Sequence, residues 1–124
     1  MGRVVITGQG AISALGRSAP ETMAAMREGV CGIAEMEFQD TERLSIKIGG
    51  QIKGYVAEDH FGRQDIALYD KFTQFALLAA DEAVRQSGLE FDDALGLEAG
   101  VILGTAGGGL HTQDENYRSV YEAG

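Results

Sequence analysis

The chain has 124 residues, 44% hydrophobic and 23% charged, the balance of an ordinary soluble domain with enough apolar material for a core. Lys and Arg total 10 against 19 Asp and Glu, and the net charge of −9 argues against nucleic acid as a partner, because phosphate binding needs a concentrated basic face. A single cysteine, Cys31, excludes an internal disulfide. No run of about 18 apolar residues and no secretory leader is present, so no membrane partner is expected and the cytoplasm is the expected location.

Residues 3–7, RVVIT, form a continuous β-branched run, expected as a strand buried on both faces of a sheet. Gly8-Gln9-Gly10 follows, a strand-then-GxG order shared with dinucleotide-binding turns. Ser13 stands where the third glycine of that pattern belongs, and no helix opens directly from the turn, so a tight structural turn is the expectation. Ser18-Ala19-Pro20-Glu21 is a capping box with proline in the first turn. The helix it starts is expected to reach about Glu28, with Met23 and Met26 turned inward and Gly29 ending it. Residues 30–38 read as loop. Residues 45–53, SIKIGGQIK, alternate around Gly49-Gly50 and suggest two short strands or one bent strand. Residues 55–66 read as irregular or as a short helix.

The dominant element is residues 70–88, DKFTQFALLAADEAVRQSG. Phe72, Phe75, Ala76, Leu78, Ala79, Ala80, Ala83 and Val84 recur at helical spacing, and Lys71, Gln74, Asp81, Glu82 and Arg85 keep a narrow polar strip. The apolar surface extends past one stripe, so more than one flank needs cover. Ala76, Ala79, Ala80 and Ala83 make a small-residue face on which another element can approach closely. Gly88 is placed to close the helix in a left-handed conformation. Glu90, Asp92, Asp93 and Glu98 read as a solvated acidic loop, without the alternating ligands of a calcium site. Residues 99–104, AGVILG, are a second expected buried strand, and Leu110, Tyr117, Val120 and Tyr121 mark one face of a last helix. Strand, helix and strand in this order imply a parallel α/β arrangement. Two buried strands are few for such a sheet, so the chain is expected to be the front portion of something larger.

The candidate chemistry is sparse. Cys31 follows the C-terminal end of its helix, where the dipole disfavours a thiolate. His60 and His111 are separated by the central helix. The glycine-rich turn Gly107-Gly108-Gly109 precedes a helix, but Leu110-His111-Thr112 lacks the lysine of a phosphate-binding loop. No residue earns a catalytic or metal-binding assignment on these grounds.

Taken together, residues 3–16 (RVVITGQGAISALG), residues 27–33, residues 69–89 (YDKFTQFALLAADEAVRQSGL) and residues 100–110 (GVILGTAGGGL) resemble the N-terminal part of the β-ketoacyl-[acyl-carrier-protein] synthases. The elongating, long-acyl type is the closest in pattern. SIKIGGQIK and Glu115-Asn116-Tyr117-Arg118 lean toward its nodulation-type branch. The resemblance implies a thiolase-like fold of layered helix, sheet, helix, sheet, helix, with residues 1–124 as an incomplete N-terminal portion. It implies decarboxylative condensation in fatty-acid or polyketide synthesis. A cysteine is acylated, malonyl-carrier protein loses CO₂, and the carbanion attacks the thioester, with two histidines and backbone amides assisting. No dissociable cofactor or metal is implied.

In that family the nucleophile and both histidines lie beyond the point matching Gly124. Cys31, His60 and His111 match no catalytic residue, so these 124 residues alone are expected to be inactive. The resemblance carries two functions onto this chain. Gly107 matches an often bulkier residue that gates the acyl channel near a dimer interface. Arg63, with Lys71 nearby, matches a segment that docks the acidic acyl carrier protein, in a family that works as a homodimer. Two alternatives are a non-catalytic, chain-length-determining partner subunit and a nucleotide-binding domain.

Overall fold

A computed structural model describes residues 2–38 and 41–123; Met1, Gln39, Asp40 and Gly124 lie outside the described residues. In chain order the elements are α1 (Ala19–Arg27), β1 (Ile33–Glu35), β2 (Ile48–Gly50), α2 (Arg63–Leu68), α3 (Lys71–Ser87), α4 (Asp93–Glu98) and α5 (Leu110–Glu122). Single 3₁₀ turns at Thr41–Arg43 and Ala57–Asp59 complete the set.

The long helix α3 organises the rest. Asp70 caps its start by accepting from the Phe72 N–H at 3.1 Å. Gly88 closes it at φ 65°, and this closure is the one the sequence pattern predicts. Residues 8–11 cross the alanine face almost in contact with the helix backbone. A Cβ on Gly8 would stand 2.0 Å from the Ala83 carbonyl oxygen, and one on Gly10 only 1.9 Å from that of Ala79. Both glycines therefore serve helix packing, and the small-residue face has found its partner. The polar strip of α3 secures the crossing. Gln86 Oε1 accepts from the Gln9 N–H at 2.6 Å, and Glu82 Oε2 accepts from the Ala11 N–H at 2.9 Å.

Glu82 also accepts from the Ala19 N–H at 3.0 and 3.1 Å, so one carboxylate on α3 satisfies an orphan donor at the start of α1. Ser18 Oγ accepts from the Glu21 N–H at 3.3 Å, while Glu21 reaches back to the Arg17 N–H at 2.7 Å. The expected capping box is thus present with its return bond one residue earlier. Gly29, at φ 70°, follows the end of α1. Met23 and Met26 are not turned inward; Met26 is 60% exposed. The packed face of α1 is Ala19, Thr22 and Ala25, three residues apart, and both methionines flank it exposed.

The sheet is a correction to the sequence reading. Its two strands, β1 and β2, pair antiparallel with Ile33 opposite Gly50, Ala34 opposite Gly49 and Glu35 opposite Ile48. The first lies within the stretch expected as loop, because three residues are too few to show an alternation. Gln51 extends the pairing by binding both the N–H and the carbonyl of Glu37 at 2.7 and 3.2 Å. Residues 3–7 and 99–104, expected as buried parallel strands, form no strand, and no parallel pair occurs among the described residues. Ile6 is 91% and Ile102 100% exposed. A doubly buried strand needs neighbours on its edges and layers on both faces, and within these residues neither segment has them.

Exposed apolar surface is found on the helices as well. Leu77 on α3 is 42% exposed, and the apolar face of α5 (Leu110, Tyr117, Val120, Tyr121) is present as predicted but uncovered. Only Ala19 and Gln74 are buried among the described residues. The acidic stretch is not all loop. Asp92 accepts from the Leu95 N–H at 2.8 Å and caps the short helix α4, whose positive end the neighbouring Asp93 complements. Among the described residues no helix is long and apolar enough to cross a membrane.

Candidate functional site

The best-defined polar arrangement lies where α3 and α5 begin. The glycine turn starts with the Gly107 N–H donating to Thr105 Oγ1 at 3.3 Å. A Cβ on Gly107 would lie 3.0 Å from Leu110 Cδ1, a tight fit against a movable side chain. One on Gly108 would fall 2.7 to 2.9 Å from three carbons of the Phe72 ring, so that ring rests directly on the turn. Gly109, at φ 82°, swings the chain into α5.

Asp70 joins the two helices. Its Oδ1 caps α3 through Phe72, and its Oδ2 accepts from the Thr112 N–H at 3.0 Å and the Thr112 hydroxyl at 2.6 Å. Partial burial acts to raise the Asp70 carboxyl. The Thr112 hydroxyl, the Phe72 and Thr112 N–H groups and nearby His111 outweigh that and hold it below its ordinary value.

One turn further along α3, buried Gln74 accepts from the Tyr55 hydroxyl at 2.7 Å and donates to the Tyr69 carbonyl at 2.8 Å. Tyr55 packs edge-on against Phe75 at 4.9 Å between ring centres, stacks on His60 at 5.6 Å, and carries the Arg17 guanidinium 5.9 Å from its ring centre. Partial burial pushes the Tyr55 hydroxyl above its ordinary value; Arg17 works against that rise and Glu58 adds to it. An open cavity of about 710 Å³ runs between the β1–β2 hairpin, α3 and α5. Met36, Phe38, Leu44, Ile52 and Phe75 give it an apolar floor, and Lys71, His111 and Glu115 stand among its polar lining.

The residues singled out from sequence are distributed as follows. Gly107 is exposed on the turn, and Lys71 opens α3 at the same end, beside the Phe72 that touches the turn. Arg63 is exposed at the first position of α2. Cys31 is an exposed free thiol near the Ile33 carbonyl, His60 is stacked on Tyr55, and His111 pairs with Glu115 at 3.2 Å. These three groups each have different partners and form no catalytic constellation. Among the described residues no group of three or more His, Cys, Asp or Glu is placed to hold a metal. Asp70 and Thr112 were missed as a pair. Aspartate before a helix signals a cap, but nothing local links it to a threonine 42 residues away.

The family model for the N-terminal domain of β-ketoacyl synthases matches residues 1–124. The chain belongs to the β-ketoacyl synthase family. It is 35% identical over 122 residues to a 3-oxoacyl-[acyl-carrier-protein] synthase 2 of Staphylococcus aureus (strain N315), covering 98% of this chain and 30% of that protein. A 3-oxoacyl-[acyl-carrier-protein] synthase 2 of Vibrio cholerae serotype O1 is 31% identical over 122 residues, with the same two coverages. The chain thus spans about 30% of the length of the curated relatives it matches. Within this β-ketoacyl synthase region, the GxG turn belongs to the packing of α3, and the glycines at 107–109 shape the start of α5.

Proposed function

We propose that the chain is the N-terminal portion of a β-ketoacyl-[acyl-carrier-protein] synthase, an acyltransferase that joins an acyl thioester to malonyl-carrier protein with loss of CO₂ in fatty-acid or polyketide synthesis. The observation that carries this is the family match across the chain, together with relatives named for that reaction and more than three times as long. On this reading the nucleophilic cysteine and the two histidines come from sequence beyond residue 124. The present residues supply scaffold and one wall of the acyl pocket. Residues 3–7 and 99–104 become inner strands of a thiolase-like layered fold once the remaining layers cover them; their bare apolar side chains fit that role. The complete protein is a cytoplasmic homodimer.

Gly107 widens the acyl channel where a bulkier residue would narrow it. Arg63 and Lys71 contribute to docking the acidic carrier, each as an exposed cation at the first position of a helix. In a chain of net charge −9 this attraction is weak, and it acts on encounter more than on affinity.

The test compares the full gene product with the 124-residue chain, using acyl- and malonyl-carrier thioesters and following CO₂ release and product mass. Condensation by the longer protein alone is expected. Turnover by the isolated chain, or none by the longer protein with its nucleophile cysteine intact, overturns the proposal. Arg63→Glu is expected to raise KM for the carrier with kcat kept, and an unchanged KM removes Arg63 from the docking surface.

A further inference from the structure

We infer that Asp70 is a positioning residue: its carboxylate fastens the start of α5 to the start of α3, and so sets the place of the glycine turn at 107–109 that selects the acyl chain. The second half of this statement rests on the function proposed above. The first half stands on the geometry alone. Three successive glycines carry no side chains with which to hold themselves, and a free turn of that kind samples many conformations. Here it is held at its middle and just beyond its end. The Phe72 ring rests on Gly108 before the turn enters α5, and the Asp70 Oδ2 grips both the N–H and the hydroxyl of Thr112 just after it.

Both contacts issue from one short stretch. Asp70 caps α3 through the Phe72 N–H, so the carboxylate that holds Thr112 also fixes the backbone from which the Phe72 ring projects. Two anchors, at Gly108 and at Thr112, follow Gly107 closely and resist rotation of the turn as well as its displacement. The place of Gly107 is therefore set by Asp70 and Phe72 at the start of α3.

The experiment uses the complete synthase with the variants Asp70→Ala, Thr112→Val, Thr112→Ser and Gly107→Ile. Two quantities are read: the ratio of kcat/KM for palmitoyl and hexanoyl carrier thioesters, and hydrogen exchange at the amides of residues 109–113. A purely structural loss slows both substrates alike, so the ratio isolates positioning. Thr112→Val and Asp70→Ala are expected to shift the ratio on the order of tenfold and to speed exchange. Thr112→Ser, which keeps the hydroxyl, is expected to restore both.

If Asp70→Ala fails to fold, the Thr112 pair carries the test. An unchanged ratio in Thr112→Val beside a changed ratio in Gly107→Ile overturns the inference and leaves the proposed function standing. Unchanged exchange in Thr112→Val also overturns it. An unchanged ratio in Gly107→Ile overturns the acyl-pocket assignment, and the inference with it.

Discussion

Replacing Gly10 by alanine separates the two roles a GxG turn can have. The added Cβ would stand 1.9 Å from the Ala79 carbonyl oxygen, 2.8 Å from its carbon and 3.0 Å from the Ala83 nitrogen. All three atoms are helix backbone and cannot swing aside, so the crossing segment must lift by more than about 1 Å to reach even a tight contact. Overpacking of this kind costs about 1–3 kcal/mol. The lift also stretches the 2.9 Å bond from the Ala11 N–H to the Glu82 carboxylate, and a bond to a charged group is worth about 1.5–3 kcal/mol. The two losses share one displacement, so their full sum is an upper bound, and about 2–5 kcal/mol is expected.

Urea unfolding of the full gene product and its Gly10→Ala variant measures the difference, read from the midpoint with the slope unchanged. A loss under about 0.5 kcal/mol would show that the crossing is looser than described. A parallel titration with NAD is expected to give no saturable signal with either protein. Saturable binding abolished by the substitution would return these glycines to a ligand role and refute the packing account.

Two further outcomes follow from the same contacts. Glu82→Gln keeps the shape of the side chain but loses the charge that accepts from Ala11 and Ala19, and is expected to cost about 1–2 kcal/mol in the same unfolding assay; no loss would mean that Glu82 is not the anchor of α1. Because Asp70 is held below its ordinary value of 3.8 in the folded chain, the stability it contributes is present above that value and is lost as pH falls through its lower folded value. The stability gap between the native protein and Asp70→Asn should therefore be full at neutral pH and close in acid; a gap constant across that range would refute the assignment, with a His111 variant as the control.

The parts of the fold legible in the sequence are those governed by neighbours along the chain. The capping residue Ser18, the closing Gly88 and the face of α5 all depend on spacings of a few residues, and all appear where the pattern places them. The alanine face of α3 was legible as an invitation to close approach. What answers it, Gly8 and Gly10, lies about 70 residues away, and no local rule connects them. The β1–β2 pairing was half legible, because Gly49-Gly50 marked one strand while Ile33–Glu35 is too short to carry a period. The candidate site divides in the same way. Gly107, Arg63 and Lys71 came from resemblance of motifs, whereas the Asp70–Thr112 link joins two helix starts and needs the chain folded back on itself.

Sequence alone thus determined the helices α1, α3 and α5, the Ser18 cap, the Gly88 closure and the family, because helix formation and motif order are encoded within short windows of chain. Tertiary structure decided which polar groups are satisfied across distance, by Glu82, Gln74 and Asp70, and which apolar segments stay bare. Strand pairing belongs to that second class. Residues 3–7 have the composition of an inner strand, but a strand's hydrogen bonds and burial are supplied by other segments, and composition cannot provide a neighbour.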